Sequence, residues 1–246
     1  MNLDHISSAS ALVFPVKELI EICHLHNVLI CIDGAHAPGQ LDLNLKELNP
    51  DFYVGNLHKW CYAMRGCALL YVKNDHQSYI HPIATSHNVN CNFQQRFFDL
   101  GTDDITNYLI IPEALSYYNA VGGRDALTKH ASTLLEYLRN RLKDELECGD
   151  YPIPASMEAP YMKIVKIPDR CRYLVSWKGA DQLWSDLNEI FNLSVYISFA
   201  NDSLWLRISC NCYNNKQDMD NVFSKIKKML DSKYEIQYQR SSNSAD

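Results

Sequence analysis

Short, unbroken apolar runs alternate with helical stripes over the first third of the sequence, and that alternation limits the fold more than any other feature. Val16, Leu19, Ile20 and Cys23 recur at i, i+3, i+4 and i+7, one core-facing stripe of a helix that Pro15 can open. Residues 28–32 (Val, Leu, Ile, Cys, Ile) form a continuous apolar run ended by Asp33-Gly34, the pattern of a strand buried on both faces. Residues 51–55 and 67–72 read as the next strands. Short apolar strands joined by amphipathic helices predict an α/β layer with a largely parallel sheet.

After Asn107 the texture changes. Helices are expected over 107–121 and 124–147, separated by Gly122-Gly123, the second with Leu127, Ala131, Leu134, Leu135, Leu138 and Leu142 on one face. A loop with three prolines (Pro152, Pro154, Pro160) leads to a strand over 162–167 and a helix carrying Leu183, Trp184, Leu187, Ile190 and Phe191. Residues 195–199 and 204–209 flank Asn201-Asp202 as a hairpin. The last helix presents Met219, Val222, Phe223, Ile226, Met229 and Leu230 to the core, and Lys225, Lys227 and Lys228 to water. The expected division is a partial large α/β domain over 1–121, a smaller α+β domain over 122–238 and a polar tail over 239–246.

Charge and cysteine usage remove several classes of function. With 23 Lys+Arg against 29 Asp+Glu the net charge is −6, which argues against nucleic acid as a partner. No apolar run approaches the ~20 residues of a membrane span. The first residues, Met1-Asn2-Leu3-Asp4-His5, lack the basic and apolar regions of a secretory signal. Nine cysteines are scattered without a C-x-x-C pair, so neither a disulfide framework nor a zinc site is expected, and a cytoplasmic location is.

Two residues carry the chemistry. Asp33 stands at the carboxyl end of a strand, where open α/β sheets place ligands, although an Asp-Gly turn that only bonds nearby amides has the same spelling. Lys59, in Asn56-Leu57-His58-Lys59-Trp60, also follows a strand, and alone reads as a solvated surface charge. On neighbouring strands the two would converge on one crevice. Pyridoxal phosphate chemistry needs that pair: the lysine to form a Schiff base with the aldehyde, the carboxylate to keep the pyridine nitrogen protonated. His5, His36 and His58 lack companions at metal spacing.

The run Cys31-Ile32-Asp33-Gly34-Ala35-His36-Ala37-Pro38-Gly39-Gln40, then Asp51-Phe52 and His58-Lys59, resembles the class V aminotransferase family of fold-type I pyridoxal-phosphate enzymes. Asp4-His5-Ile6-Ser7-Ser8 places the resemblance nearest the isopenicillin N epimerase-like branch, and it returns at Leu206-Arg207-Ile208-Ser209 with Tyr213-Asn214. The resemblance implies a pyridoxal 5′-phosphate cofactor, an amino-acid substrate and a homodimer. It makes Lys59 the residue of the internal aldimine and Asp33 the partner of the ring nitrogen. It places His36 and Ser8 near the ring hydroxyl, His58 and Asn56 at the phosphate, and Thr102 at the phosphate held by the partner subunit. Arg207 would grip the substrate carboxylate. Thr102 could instead cap the following helix, Arg207 could sit on an exposed strand face, and His36 could be a hydrogen-bonded core residue.

Family members carry a long segment before the position of Asp4, which ordinarily includes the phosphate-cradling helix terminus. Its absence from the sequence predicts a fragment of a longer enzyme. The competing expectation is a catalytically inactive homologue that retains a dimerisation or partner-binding role. Epimerisation, elimination, C–S cleavage and transamination all remain open. A nucleotide-binding fold is disfavoured because no G-x-G-x-x-G or Walker loop occurs.

Overall fold

The computed structural model describes residues 1–98 and 101–231. In chain order the main elements are β1 (Asn2–Asp4), α1 (Val16–Leu25), β2 (Cys31–Asp33), α2 (Leu45–Leu48), β3 (Phe52–Asn56), β4 (Ala68–Val72), α3 (Phe93–Phe98), α4 (Thr106–Leu109), α5 (Ile111–Ala120) and α6 (Gly123–Leu146). The second half continues with β5 (Gly149–Asp150), β6 (Met162–Lys166), α7 (Trp177–Glu189), β7 (Tyr196–Ala200), β8 (Ser203–Ser209) and α8 (Lys216–Asp231). The tail expected from Gln239 lies outside the described residues.

Two sheets result. The first has the order β1-β2-β3-β4, with β1, β2 and β3 parallel and β4 antiparallel to β3. The second has the order β5-β6-β8-β7 and is antiparallel throughout. One continuous apolar cluster joins them: Ile30 just before β2, Ile32 and Tyr53 from the first sheet, Leu135, Leu138 and Leu142 from α6, and Met162, Val165 and Leu206 from the second. The leucine stripe expected on α6 is buried along its whole length.

Three expectations are corrected. The strand over 28–32 begins only at Cys31, because the Val28 amide is spent on the Cys23 carbonyl closing α1, and Val28 and Leu29 are exposed. The strands also bury only one face. Ile32 and Tyr53 point into the core, whereas Val54, on the opposite side of the pleat, is 37% exposed. The single helix over 107–121 is two, breaking at Ile110 ahead of Pro112, whose missing N–H and ring bulk suit the first turn of a new helix.

Asp51 staples the amino-terminal end of this sheet. It is 3% exposed; Oδ2 accepts from the Ile30 amide at 2.9 Å and from His24 Nε2 at 3.1 Å, while Oδ1 accepts from His76 Nε2 at 2.9 Å. Burial alone would raise this carboxyl, but the Ile30, His76 and His24 hydrogen bonds outweigh it and hold it below the ordinary carboxylate range. One side chain therefore fixes α1, the start of β2, the start of β3 and the 3-10 turn Asn74–His76.

Candidate active site

Because β1, β2 and β3 run parallel, their carboxyl ends share one edge of the sheet. Asp4 pairs in register with Asp33, and Asp33 with Val54, so Asp4, Asp33, Val54 and Asn56 lie on the same, more open face. The turn after β2 is tight. A Cβ on Gly34 would meet the Tyr53 hydroxyl at 2.1 Å, so only glycine lets the chain cross there. Asp33 Oδ1 accepts the Ala35 amide at 2.9 Å, so the local Asx turn anticipated as an alternative does form. The same carboxylate also acts electrostatically on Lys59 and on Asp4.

Lys59 is half-buried on the loop after β3, and its Nζ lies 3.1 Å from His36 Nε2. Burial pulls the Lys59 amine below its ordinary value. Asp33 and Asp4 oppose that pull, and the Arg207 guanidinium adds to it. His36 is buried and accepts at Nδ1 from Trp60 Nε1 at 3.3 Å. Burial first, then the neighbouring Lys59 and Arg207 charges, push this imidazole down to about 3, so it is neutral. His36 is thus a hydrogen-bonded buried residue and also a neighbour of the lysine. The Asp4 carboxyl is raised, chiefly by burial and by Asp33, with Lys59 opposing.

Arg207 reaches this cluster from the second sheet. Its Nη1 donates to the Ser8 carbonyl and, at 3.0 Å, to Ser8 Oγ. Its Cζ stands 4.8 Å above the ring of Tyr196, its cross-strand partner. Nε is buried with no hydrogen-bond partner, and no carboxylate among the described residues pairs with the guanidinium. A partly buried cation with an unspent donor is suited to an anionic ligand. Burial lowers its proton affinity and Tyr196 partly restores it.

Asp33, His36, Lys59, Ser8 and Arg207 are therefore brought together. His58 lies one residue from Lys59, with Nδ1 3.1 Å from the Cys67 carbonyl, and Asn56 ends β3 opposite Ala68. Thr102 sits on an exposed bend before α4 and does not cap that helix; the Asp104 carboxylate takes the Thr106 amide instead, at 2.9 Å. No group of three His, Cys, Asp or Glu among the described residues is placed to hold a metal. Asp4, Trp60 and Tyr196 were missed as members of the cluster. For Tyr196 the signal was present, since a two-residue turn at Asn201-Asp202 sets residue 196 opposite 207.

Comparison with known proteins follows the same lines. The family model "Aminotransferase class-V" matches residues 1–164. A protein named probable L-cysteine desulfhydrase, chloroplastic, from Arabidopsis thaliana is 30% identical over 234 residues, covering 88% of this chain and 48% of the relative. Hercynylcysteine sulfoxide lyase of Schizosaccharomyces pombe is 25% identical over 178 residues (67% of this chain, 45% of the relative). Isopenicillin N epimerase of Streptomyces clavuligerus is 27% identical over 240 residues (89% and 57%). The chain thus spans about half the length of the curated relatives it matches. Among solved structures, a NifS-like protein from Rickettsia africae superposes with a TM-score of 0.75 at 16% identity, over 94% of this chain and 61% of that one. A cysteine desulfurase from Thermococcus onnurineus does so at 0.72 and 18%, over 93% and 59%. These likenesses establish the fold.

Proposed function

The chain belongs to the class V aminotransferase family, and on that premise we propose that it carries the catalytic lysine of a pyridoxal-phosphate-dependent enzyme acting on an amino acid. The family depends on pyridoxal 5′-phosphate. The observation that supports the reading is the convergence of Lys59, Asp33 and Arg207: an amine of lowered basicity, a strand-end carboxylate and an unneutralised guanidinium acting on one another.

The donor set fits the cofactor. Lys59 has an amine for its aldehyde, and Asp33 a carboxylate for its ring nitrogen. His36 would lie toward the ring hydroxyl, with Ser8 nearby. His58 and Asn56 would approach the phosphate, and Thr102 the phosphate of a partner subunit. Bound pyridoxal phosphate supplies a ring that accepts the electron pair released when a bond to the substrate α-carbon breaks. Arg207, held at Nη1 by Ser8 and paired with no carboxylate among the described residues, would bind the substrate carboxylate with the part of its fork that Ser8 leaves free. Lys59 would then take or return a proton at the α-carbon, a task that its lowered basicity favours.

The names of the relatives make sulfur-bearing amino acids the first substrates to test. Adding pyridoxal phosphate to the chain is expected to give a visible absorbance band that Lys59→Ala abolishes, with sulfide release from L-cysteine as the activity readout. Absence of a band at saturating cofactor would defeat the proposal in favour of a non-catalytic, partner-binding homologue. We propose a homodimer as well, supported by exposed apolar side chains at Ile105 just before α4 and along α4 and α5 (Tyr108, Leu109, Leu115, Tyr117). Sedimentation at monomer mass over the working concentration range would exclude it. No described helix is long and apolar enough to cross a membrane. Nine free thiols support a reducing compartment such as the cytoplasm, which localisation of the tagged protein tests.

A further inference from the structure

Around Lys59 the hydrogen-bond donors and acceptors can be satisfied in only one arrangement. Trp60 Nε1 carries a proton and has no acceptor capacity, so its 3.3 Å contact with His36 Nδ1 makes that nitrogen the acceptor. A neutral imidazole that accepts at Nδ1 keeps its single proton on Nε2. That proton faces Lys59 Nζ at 3.1 Å. An ammonium group has three donors and no lone pair, so an Nε2–H opposite it would set donor against donor. The contact closes only when Nε2–H donates and an uncharged amine accepts.

We propose that Trp60, acting through the tautomer of His36, holds Lys59 as the free amine, so that the nucleophile is ready before any aldehyde arrives. Trp60 is then a positioning residue that never touches the reacting atoms. The inference builds on the assignment of Lys59 as the cofactor-binding amine, and deepens it.

The surroundings bear on the balance from every side. Asp33 at the end of β2 and Asp4 at the end of β1 favour the ammonium. Burial and Arg207 from β8 oppose them and prevail. His36, on the turn after β2, has no capacity to pair as a cation, because burial keeps it neutral down to about pH 3. The indole is also fixed in place: Trp60 is 7% exposed and meets Tyr161 edge-on at 5.5 Å.

Trp60→Phe keeps a ring in that packing and removes only the Nε1 donor. His36 can then move its proton to Nδ1 and accept from a Lys59 ammonium at Nε2. The test uses the full chain without cofactor. Long-range 1H–15N spectra report the His36 tautomer, and a pH titration of 13C-labelled lysine side chains reports Lys59, with His36→Gln and Lys59→Ala supplying the assignments. The expected results are an Nε2–H tautomer in the wild type, its loss in Trp60→Phe, and a Lys59 midpoint about one unit higher in the variant, the size of one net hydrogen bond. An Nδ1–H tautomer in the wild type overturns the proposal without recourse to any variant, as does an unchanged Lys59 midpoint in a folded Trp60→Phe. The tautomer is read without pyridoxal phosphate. An Nε2–H signal in a chain that gives no cofactor band therefore supports the relay while overturning only the cofactor assignment.

Discussion

A side chain's environment, more than its type, decides what it does here. Lys59 and Arg207 are both basic side chains, yet the lysine loses basicity to burial while the arginine spends one nitrogen on Ser8 and leaves Nε unspent. On the proposed role an arginine is needed at 207, because a planar fork can face Ser8 with one end and a carboxylate with another. Arg207→Lys is therefore expected to raise KM for the amino-acid substrate about tenfold with a smaller change in kcat, measured by steady-state kinetics of the cofactor-loaded protein. An unchanged KM would remove Arg207 from substrate binding. That Asp33 and Lys59 would face one edge of the sheet was legible in the sequence, because Asp33 closes β2 and Lys59 follows β3. Trp60 and Asp4 were quoted within motifs without their roles being readable, since hydrogen-bond direction and strand register are three-dimensional quantities.

Among the elements, the boundaries were least legible and the kinds most. Every long amphipathic stripe became a helix, and the hairpin expected around Asn201-Asp202 formed as β7 and β8. Misjudged boundaries trace to local backbone accounting, as where the Val28 amide closes α1 before β2 can begin. The Asp51 staple was invisible for another reason: its three donors come from three separate segments. Asp51→Asn keeps the shape but turns half of the acceptor set into donors facing donors, and is expected to cost about 2–4 kcal/mol. Urea unfolding at pH 7 measures this, and a loss below about 0.5 kcal/mol would show that the staple is redundant.

At the scale of the whole molecule, both sheets share one core, and buried histidines make its stability depend on pH. His5 is 8% exposed, and burial lowers its imidazole to about 4; that of His36 falls to about 3. Unfolded histidines titrate near 6.5. Below that value the unfolded chain takes up protons that the folded chain refuses, so stability falls as pH drops through 6.5 and levels off only once the folded groups titrate near 4 and 3. The expected loss between pH 7 and pH 5 is roughly 1–2 kcal/mol per histidine. Urea midpoints at the two pH values test this, and His5→Gln should flatten the dependence; equal midpoints in wild type would refute it. The two-sheet plan was legible from the alternation of runs and stripes. Their fusion into one core was not, because nothing in a one-dimensional pattern says which apolar faces will meet.

Arg207 grips Ser8 across a separation of 199 residues. During synthesis the amine at position 59 therefore leaves the ribosome long before the arginine that is to partner it. If Lys59 and Arg207 act as proposed, a nascent chain stopped short of β8 would present the amine without the guanidinium that selects its ligand. On the proposed reading, selectivity for a carboxylate arrives only with β8, the last of the described strands, so the order of translation itself delays a discriminating site.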